Sequence, residues 1–366
     1  MPVAEQRGGA EATLLHLLRE RPVGATWEVI FLEEGPMVDE VGRMGWEATV
    51  VPAGRARDVH RLQRTVRAIS SIARSNRAET ILGWMAKSNL YAGPAAVLAG
   101  IPGVWYQVDA PKFGNPLGRV AMAMPANGVI TNSKTIEQQQ QRIWPRRRTR
   151  VVYPGVDGTI FNADNLPSPQ SARSQLGLPP DGPLIGMVGR LQRWKGMHSL
   201  VQAMPAVLRE HPGANCVIVG GPHPFEPDYP AFLDSVIKDC AVKDRVLLTG
   251  YQPNVEMWMQ AMDIVVHASR EEPFGLVVLE AMALGKPVIA ANSGGPVEII
   301  TDGVQGVLFS YGDSEALGRA IRRFVNDPGF AERVSKAGHS RALDFTTDRY
   351  ASNLVAAIKD LVGARQ

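Results

Sequence analysis

The segment Glu272-Pro273-Phe274-Gly275-Leu276-Val277-Val278-Leu279-Glu280 sets two carboxylates on either side of a glycine that opens an apolar helical stretch. It lies between the apolar runs Ile264–His267 and Pro287–Ala291, each of strand length, which predicts a strand-to-helix turn. Gly275 lets the main chain approach a ligand closely. The N–H groups and dipole of a helix start favour a phosphate. Glu272, ahead of the helix, suits sugar hydroxyls. Glu280 stands about two turns further on, at about 1.5 Å per residue, where a carboxylate can hold both hydroxyls of a ribose. An acid near a helix start is the plainer reading of Glu272 alone. It does not account for Glu280, set among Val277, Val278, Leu279, Ala281 and Met282.

A second group, Gly189-Arg190-Leu191-Gln192-Arg193-Trp194-Lys195-Gly196, follows the apolar run Leu184–Val188 and precedes a helix. Arg190 and Lys195 suit a diphosphate, the first as a planar fork and the second as a point charge. Met197 after Gly196 excludes the G-x-x-x-x-G-K-[ST] phosphate loop, and Arg193 reads as a surface cation. Gly294-Gly295-Pro296-Val297-Glu298 again follows a strand and opens a helix, as a close ligand approach or as a plain turn. Gly8-Gly9-Ala10-Glu11 repeats the theme at the first helix and is weak evidence by itself.

The elements that must hold these loops alternate along the chain. Strands are expected at Trp27–Leu32, Ala48–Pro52, Thr80–Gly83, Val104–Gln107, Gly128–Thr131 and Arg150–Tyr153, with helical stretches including Ala10–Arg19, Val59–Arg74 and Leu90–Ala99. The alternation restarts with strands at Leu184–Val188, Ala214–Val219, Arg245–Leu248, Ile264–His267, Pro287–Ala291 and Gly306–Phe309. Helices are expected between them, the last of that half at Ser314–Asn326. Such alternation predicts an α/β protein with two doubly wound, Rossmann-like domains and a shared crevice at the carboxyl ends of the strands. The expected division is residues 1–161, a linker at 162–183 rich in Pro, Ser, Asn and Asp, a second domain at 184–345, and a terminal helix within 346–366. That helix carries Leu354, Ile358 and Leu361 on one face and is expected to pack back on the first domain.

Two domains fit 366 residues, and 45% apolar with 20% charged residues is an ordinary globular balance. A net charge of +3 gives no argument for nucleic acid. Residues 1–160 are net +6 and the remainder net −3, so the first half suits an anionic lipid or acceptor, or is ordinary surface variation. Arg146-Arg147-Arg148 with Arg150 is read as a solvated turn first and a lipid contact second. Cys216 and Cys240 form neither a metal spacing nor a disulfide framework. No apolar run reaches transmembrane length and the start lacks a secretory pattern, so the expected location is cytoplasmic, peripheral to a membrane at most. Seven residues precede Gly8, and Met1–Arg7 lacks strand composition. The first strand of a doubly wound domain is central. The expectation is therefore that Pro2–Arg7 is loop and that an upstream extension supplies the strand.

Taken together, these segments resemble the family-4 retaining glycosyltransferases of the GT-B fold. The resemblance rests on Glu272 and Glu280, on Gly189, Arg190, Leu191, Lys195 and Gly196, on Gly294-Gly295-Pro296 with Glu298, on Gly8-Gly9-Ala10-Glu11, and on Pro154-Gly155-Val156-Asp157 with Phe161. Pro154 stands where the family has Asn. The resemblance implies a nucleoside-diphosphate sugar donor, with no separate cofactor and no metal. It implies diphosphate binding by Arg190 and Lys195, sugar contact by Glu272, and ribose contact by Glu280. Main-chain N–H groups of Phe274, Gly275 and Leu276 would meet sugar and phosphate, Gly189 and Gly9 would bring glycine loops to the donor, and the base would pack near Leu248–Gln252, Tyr251 included. The acceptor, a glycan, lipid or small molecule, is expected near Trp84, Lys87, Asn89, Trp105, Asp109 and Lys112, unless those residues are ordinary packing. Val108 takes the place of a family histidine beside Asp109, which with the short N-terminus keeps a non-catalytic nucleotide-sugar binder as one rival; a GT-B nucleotide-sugar epimerase or hydrolase is the other.

Overall fold

The computed structural model describes residues 1–5, 8–54, 58–110 and 116–363. The chain divides into one unit of Met1–Gly155 with Thr347–Gln366 and another of Val156–Thr346. In the first unit the short apolar runs become strands β1 (Glu28–Phe31), β2 (Glu47–Val50), β3 (Ile81–Trp84), β4 (Gly103–Gln107), β5 (Gly128–Thr131) and β6 (Thr149–Val151). The helices are α1 (Gly9–Glu20), α2 (Pro36–Arg43), α3 (Val59–Ser75), α4 (Met85–Ala99), α5 (Pro116–Ala123) and α6 (Lys134–Gln141). Side-chain caps start two of them, Asp58 accepting from Arg61 N and Ser133 from Ile136 N.

All pairing in this unit is parallel, but in two separate sheets, β1–β2 and β3–β4–β5–β6. Met1 bonds to the end of β1, its amino group donating to Ile30 O at 2.7 Å and its carbonyl accepting from Leu32 N at 3.0 Å. Pro2–Glu5 is neither helix nor strand, and Gln6 and Arg7 lie outside the described residues. One apolar core runs under both sheets, from Val29 and Phe31 to Trp84, Val104, Tyr106 and Ile130.

The second unit holds α7 (Pro169–Gln175), β7 (Leu184–Val188), α8 (Met197–Glu210), β8 (Asn215–Val219), α9 (Tyr229–Asp239), β9 (Val246–Leu248) and α10 (Val255–Ala261). It continues through β10 (Ile264–His267), α11 (Leu276–Ala283), β11 (Val288–Ala291), α12 (Pro296–Ile299), β12 (Val307–Phe309), α13 (Ser314–Asn326) and α14 (Pro328–Ala342). The sheet is parallel throughout, in the order β9-β8-β7-β10-β11-β12. The chain starts in the middle, winds outward to β9, and returns beside β7 as β10. The order reverses between β7 and β10, where doubly wound sheets open a ligand crevice. Every residue of β8, β10 and β11 is buried, as expected of strands covered on both faces.

Residues 162–183 are part of this unit. Arg173 of α7 is buried and donates to Ala261 O at 3.0 Å, Gly182 O at 3.0 Å and Asp263 Oδ2 at 2.5 Å, tying α7 to the start of β10. The chain ends as α15 (Thr347–Gly363), which packs Tyr350, Leu354 and Leu361 into the core of the first unit. Two boundaries differ from the sequence reading. Helix α4 starts at Met85, directly after β3, with Met85 at φ 70°; the periodicity revealed only its apolar second half. Helix α14 was not expected, because Phe330, Val334, Gly338 and Ala342 make only a thin stripe of mostly small side chains.

Candidate functional site

The carboxyl edge of the second sheet gathers the loop after β7, the loop after β10 and the start of α11. Two glycines shape the first of these. Gly189 has φ 153°, and Gly196 has φ 76° with Ala268 O only 2.2 Å from where a Cβ would sit. The loop therefore lies directly on the chain leaving β10, and Arg270 N donates to Trp194 O at 2.8 Å.

That approach brings Lys195 to Glu272. Lys195 Nζ donates to Glu272 Oε2 at 2.6 Å, with both side chains largely buried. His267, the last residue of β10, places Nε2 3.0 Å from the same oxygen and 3.3 Å from Ser269 Oγ. Burial alone would raise the Glu272 carboxyl; the Lys195 ammonium and the His267 hydrogen bond outweigh it and hold the group well below the usual carboxylate range. Glu272 is thus an anion at any ordinary pH. Lys195 also sits 4.2 Å from the centre of the Trp194 ring.

The Gly294-Gly295 pair serves this loop rather than opening a separate approach. A Cβ on Gly294 would stand 2.1 Å from Glu272 O, and one on Gly295 2.2 Å from Phe274 Cα. Gly295 N donates to Glu272 O at 2.8 Å. Phe274 is buried and packs against Phe345, so only its main chain is on offer to a ligand. Gly275, at φ 106°, caps α11, and Val278 N is the first helix donor to turn back onto it, at 3.0 Å. The N–H groups of Leu276 and Val277 precede that ladder and point out of the helix start. Glu280 lies one turn beyond, half-buried, its carboxyl pushed up to about 7 by burial and then by Glu256. Tyr251, after β9, is 70% exposed.

On the first unit the structure corrects the acceptor-side expectation. Trp84 is buried, donates Nε1–H to Ala10 O at 2.9 Å, and packs edge-on against Tyr106. Trp105 points to the opposite face of β4 from Tyr106, into a cluster with Met122, Val129 and Ile143. Asn89 is buried and donates to Ala121 O at 2.9 Å. None of these three presents a face to a sugar, because strand alternation and helix packing turn each inward. Lys87 and Asp109 are exposed after β3 and β4, and Lys112 lies outside the described residues. Val108 is buried, with its carbonyl accepting from Asn132 Nδ2 at 3.0 Å. Gly9 opens α1 in this unit. The arginine run is largely occupied: Arg147 donates to Met122 O and Met124 O, and Arg148 and Arg150 pair with Asp360. The sequence reads His267 as support for the strand end beside the donor loop; the structure adds its contact with Glu272, five residues on.

Among the described residues no group of His, Cys, Asp and Glu is arranged to hold a metal, and no helix is long and apolar enough to cross a membrane.

Residues 169–341 match the model of the family described as glycosyl transferases group 1. The chain is 32% identical over 267 residues to a D-inositol 3-phosphate glycosyltransferase of Acidothermus cellulolyticus, covering 70% of this chain and 59% of that relative. It is 26% identical to the lipopolysaccharide core biosynthesis glycosyltransferase LpsE of Rhizobium meliloti, covering 91% of this chain and 90% of that one. Among solved structures, Anabaena HepE in complex with UDP and glucose superposes with a TM-score of 0.87 at 26% identity, over 98% of each chain. The fold, α/β with two Rossmann-like units, is that of the GT-B glycosyltransferases.

Proposed function

With residues 169–341 belonging to the glycosyl transferases group 1 family, we propose that this protein is a retaining, metal-independent glycosyltransferase. It moves a hexose-type sugar from a nucleoside-diphosphate sugar to a glycan, lipid or small-molecule acceptor. The observation that carries this reading is the buried Lys195–Glu272–His267 cluster, set between β7 and β10 beside the start of α11.

In this reading Arg190, Lys195 and the N–H groups at the start of α11 meet the diphosphate. Breaking the bond from the anomeric carbon sends its electron pair to the diphosphate, and the fixed cations stabilise the charge that builds there. Removing one such donor typically costs about 3–4 kcal/mol of transition-state stabilisation. Glu272 binds hydroxyls of the transferred sugar and Glu280 those of the ribose. Glycines 189 and 275 bring main chain close to the donor, and Tyr251 flanks the base. The acceptor oxygen attacks from the face that the diphosphate leaves, its proton passing to the departing phosphate oxygen, which retains configuration. Lys87 and Asp109 are the acceptor-side candidates that their exposure supports. The donor class has support in HepE, whose structure holds UDP.

We also propose a peripheral contact with an anionic membrane on its cytoplasmic side. Its support is α3, which exposes His60, Arg61, Arg64, Arg67 and Arg74, contains no acid, and begins with Val59 at 62% exposure.

The test is a panel of UDP-, GDP-, ADP- and dTDP-hexoses, scored for binding and then for products with and without acceptor. Transfer that retains configuration supports the reading. Free sugar or an epimer without acceptor favours the hydrolase or epimerase, binding without turnover favours the non-catalytic binder, and no binding at all overturns the donor class.

A further inference from the structure

The two donors to Glu272 meet it at one oxygen. Lys195 Nζ lies 2.6 Å and His267 Nε2 3.0 Å from Oε2, while Oε1 has no partner among the described residues. The donors differ in rigidity. Lys195 reaches the carboxylate from a loop, on a flexible stem. His267 ends β10, which pairs with β7 on one side and β11 on the other and is buried along its whole length. Its ring is buried too, and Ser269 Oγ lies 3.3 Å from the same Nε2. A neutral ring with its proton on Nδ1 would turn the Nε2 lone pair onto a carboxylate, so Nε2 carries a proton. Nδ1 is buried and has no partner among the described residues. An unpaired ring nitrogen in the core costs stability, and an apolar side chain would fill this place in the sheet without that cost. The contact at Nε2 is what the imidazole adds.

We propose that His267 is a positioning residue: it fixes Oε2 of Glu272 from the sheet side and so aims Oε1 at a hydroxyl of the transferred sugar. The proposal rests on the reading of Glu272 as the carboxylate that binds the sugar. Glu272 stands in the loop after β10, and its main chain is held separately, by Gly295 N donating to Glu272 O at 2.8 Å. Its side chain takes direction from a ring mounted on the sheet. A hydroxyl donates along its O–H bond, so recognition depends on where the accepting oxygen stands. A carboxylate repels a phosphate, so what His267 fixes bears on the sugar and not on the diphosphate.

The test is calorimetric titration of the full chain with UDP-, GDP-, ADP- and dTDP-glucose and GDP-mannose, and with the nucleoside diphosphate of whichever binds most tightly. His267→Ala should weaken the nucleotide sugar by about tenfold and leave the nucleoside diphosphate unchanged. His267→Gln, whose amide nitrogen can reach the place of Nε2, should recover most of the loss; His267→Asn, whose amide stops near the place of Nδ1, should not. Unchanged nucleotide-sugar affinity in His267→Ala overturns the proposal, as does an equal loss with the nucleoside diphosphate. Glu272→Gln separates the two readings. If it spares the nucleotide sugar, the sugar role of Glu272 falls and the proposal with it. If it weakens the nucleotide sugar and His267→Ala does not, the positioning role alone falls. If the wild type binds none of the donors, the nucleotide-sugar reading falls and the role of His267 with it. Should His267→Ala not fold, histidine 15N spectra of the wild type decide. A ring protonated at Nε2, its resonance moving with nucleotide sugar and not with nucleoside diphosphate, supports the proposal; a ring protonated only at Nδ1, or one unmoved by the sugar, overturns it.

Discussion

Lys195 and Glu272 meet at 2.6 Å, and both side chains are largely buried. The proposed diphosphate cation and the proposed sugar carboxylate thus neutralise one another.

The first consequence concerns stability. Removing one partner of a buried pair strands the other, at a typical cost of about 3–5 kcal/mol. Lys195→Ala and Glu272→Ala should each lower the unfolding free energy of the chain, and the double variant should lose less than the sum. A chemical-denaturation cycle with additive losses would contradict the pairing.

The second concerns turnover. Arg190→Ala and Lys195→Ala should each cut kcat/KM for the donor by roughly two to three orders of magnitude, as expected when a cation is taken from developing charge. Chelator should leave wild-type turnover intact. Full activity in both variants would remove the diphosphate assignment; loss in chelator with recovery on adding magnesium or manganese would remove metal independence.

The third concerns pH. Glu280 has a folded value of about 7 against an ordinary 4.5, so the folded chain holds that proton more tightly. Its contribution to stability is complete below about 4.5 and is lost as pH rises to about 7, by about 3 kcal/mol at most. Glu272 is depressed instead, so its contribution is present above 4.5 and lost as pH falls. Denaturation midpoints across pH should show the neutral-side decline disappearing in Glu280→Gln while the acid-side decline persists. A neutral-side slope unchanged in that variant would refute the Glu280 assignment.

The fourth concerns the glycine pair. Gly295→Ala drives a Cβ to within 2.2 Å of Phe274 Cα, so the loop of residues 272–274 must shift. Melting temperature and donor turnover should fall together. Gly42→Ala is the control: it lies in α2 with nothing within 4 Å of the new Cβ, and should stabilise by about 0.5–1 kcal/mol. Equal behaviour of the two variants would mean that Gly295 has no packing role.

The fifth concerns α3. The chain should sediment with vesicles containing phosphatidylglycerol and not with pure phosphatidylcholine, and Arg64→Glu with Arg67→Glu should abolish the binding. Sedimentation that survives the charge reversals and high salt would exclude an electrostatic contact through this helix.

The sequence by itself determined the strands and the chemistry of the donor-side loops. Its short runs marked the twelve strands of the described residues to within about two residues, most plainly β8, β10 and β11, which are buried on both faces. Glycines beside cations and acids marked the turns, since loop backbone must be permissive where it packs closely. The tertiary structure decided which side chains meet. Lys195 and Glu272 are 77 residues apart in the chain, and only the reversal between β7 and β10 brings them together. His223 and Arg190 meet because β8 pairs with β7. Trp84 ends β3, Trp105 lies within β4 and Asn89 on α4, and all three turn inward, whereas Lys87 and Asp109 nearby are exposed. Position after a strand fixes the edge a residue occupies; the packing of neighbouring elements decides whether its side chain faces solvent or core.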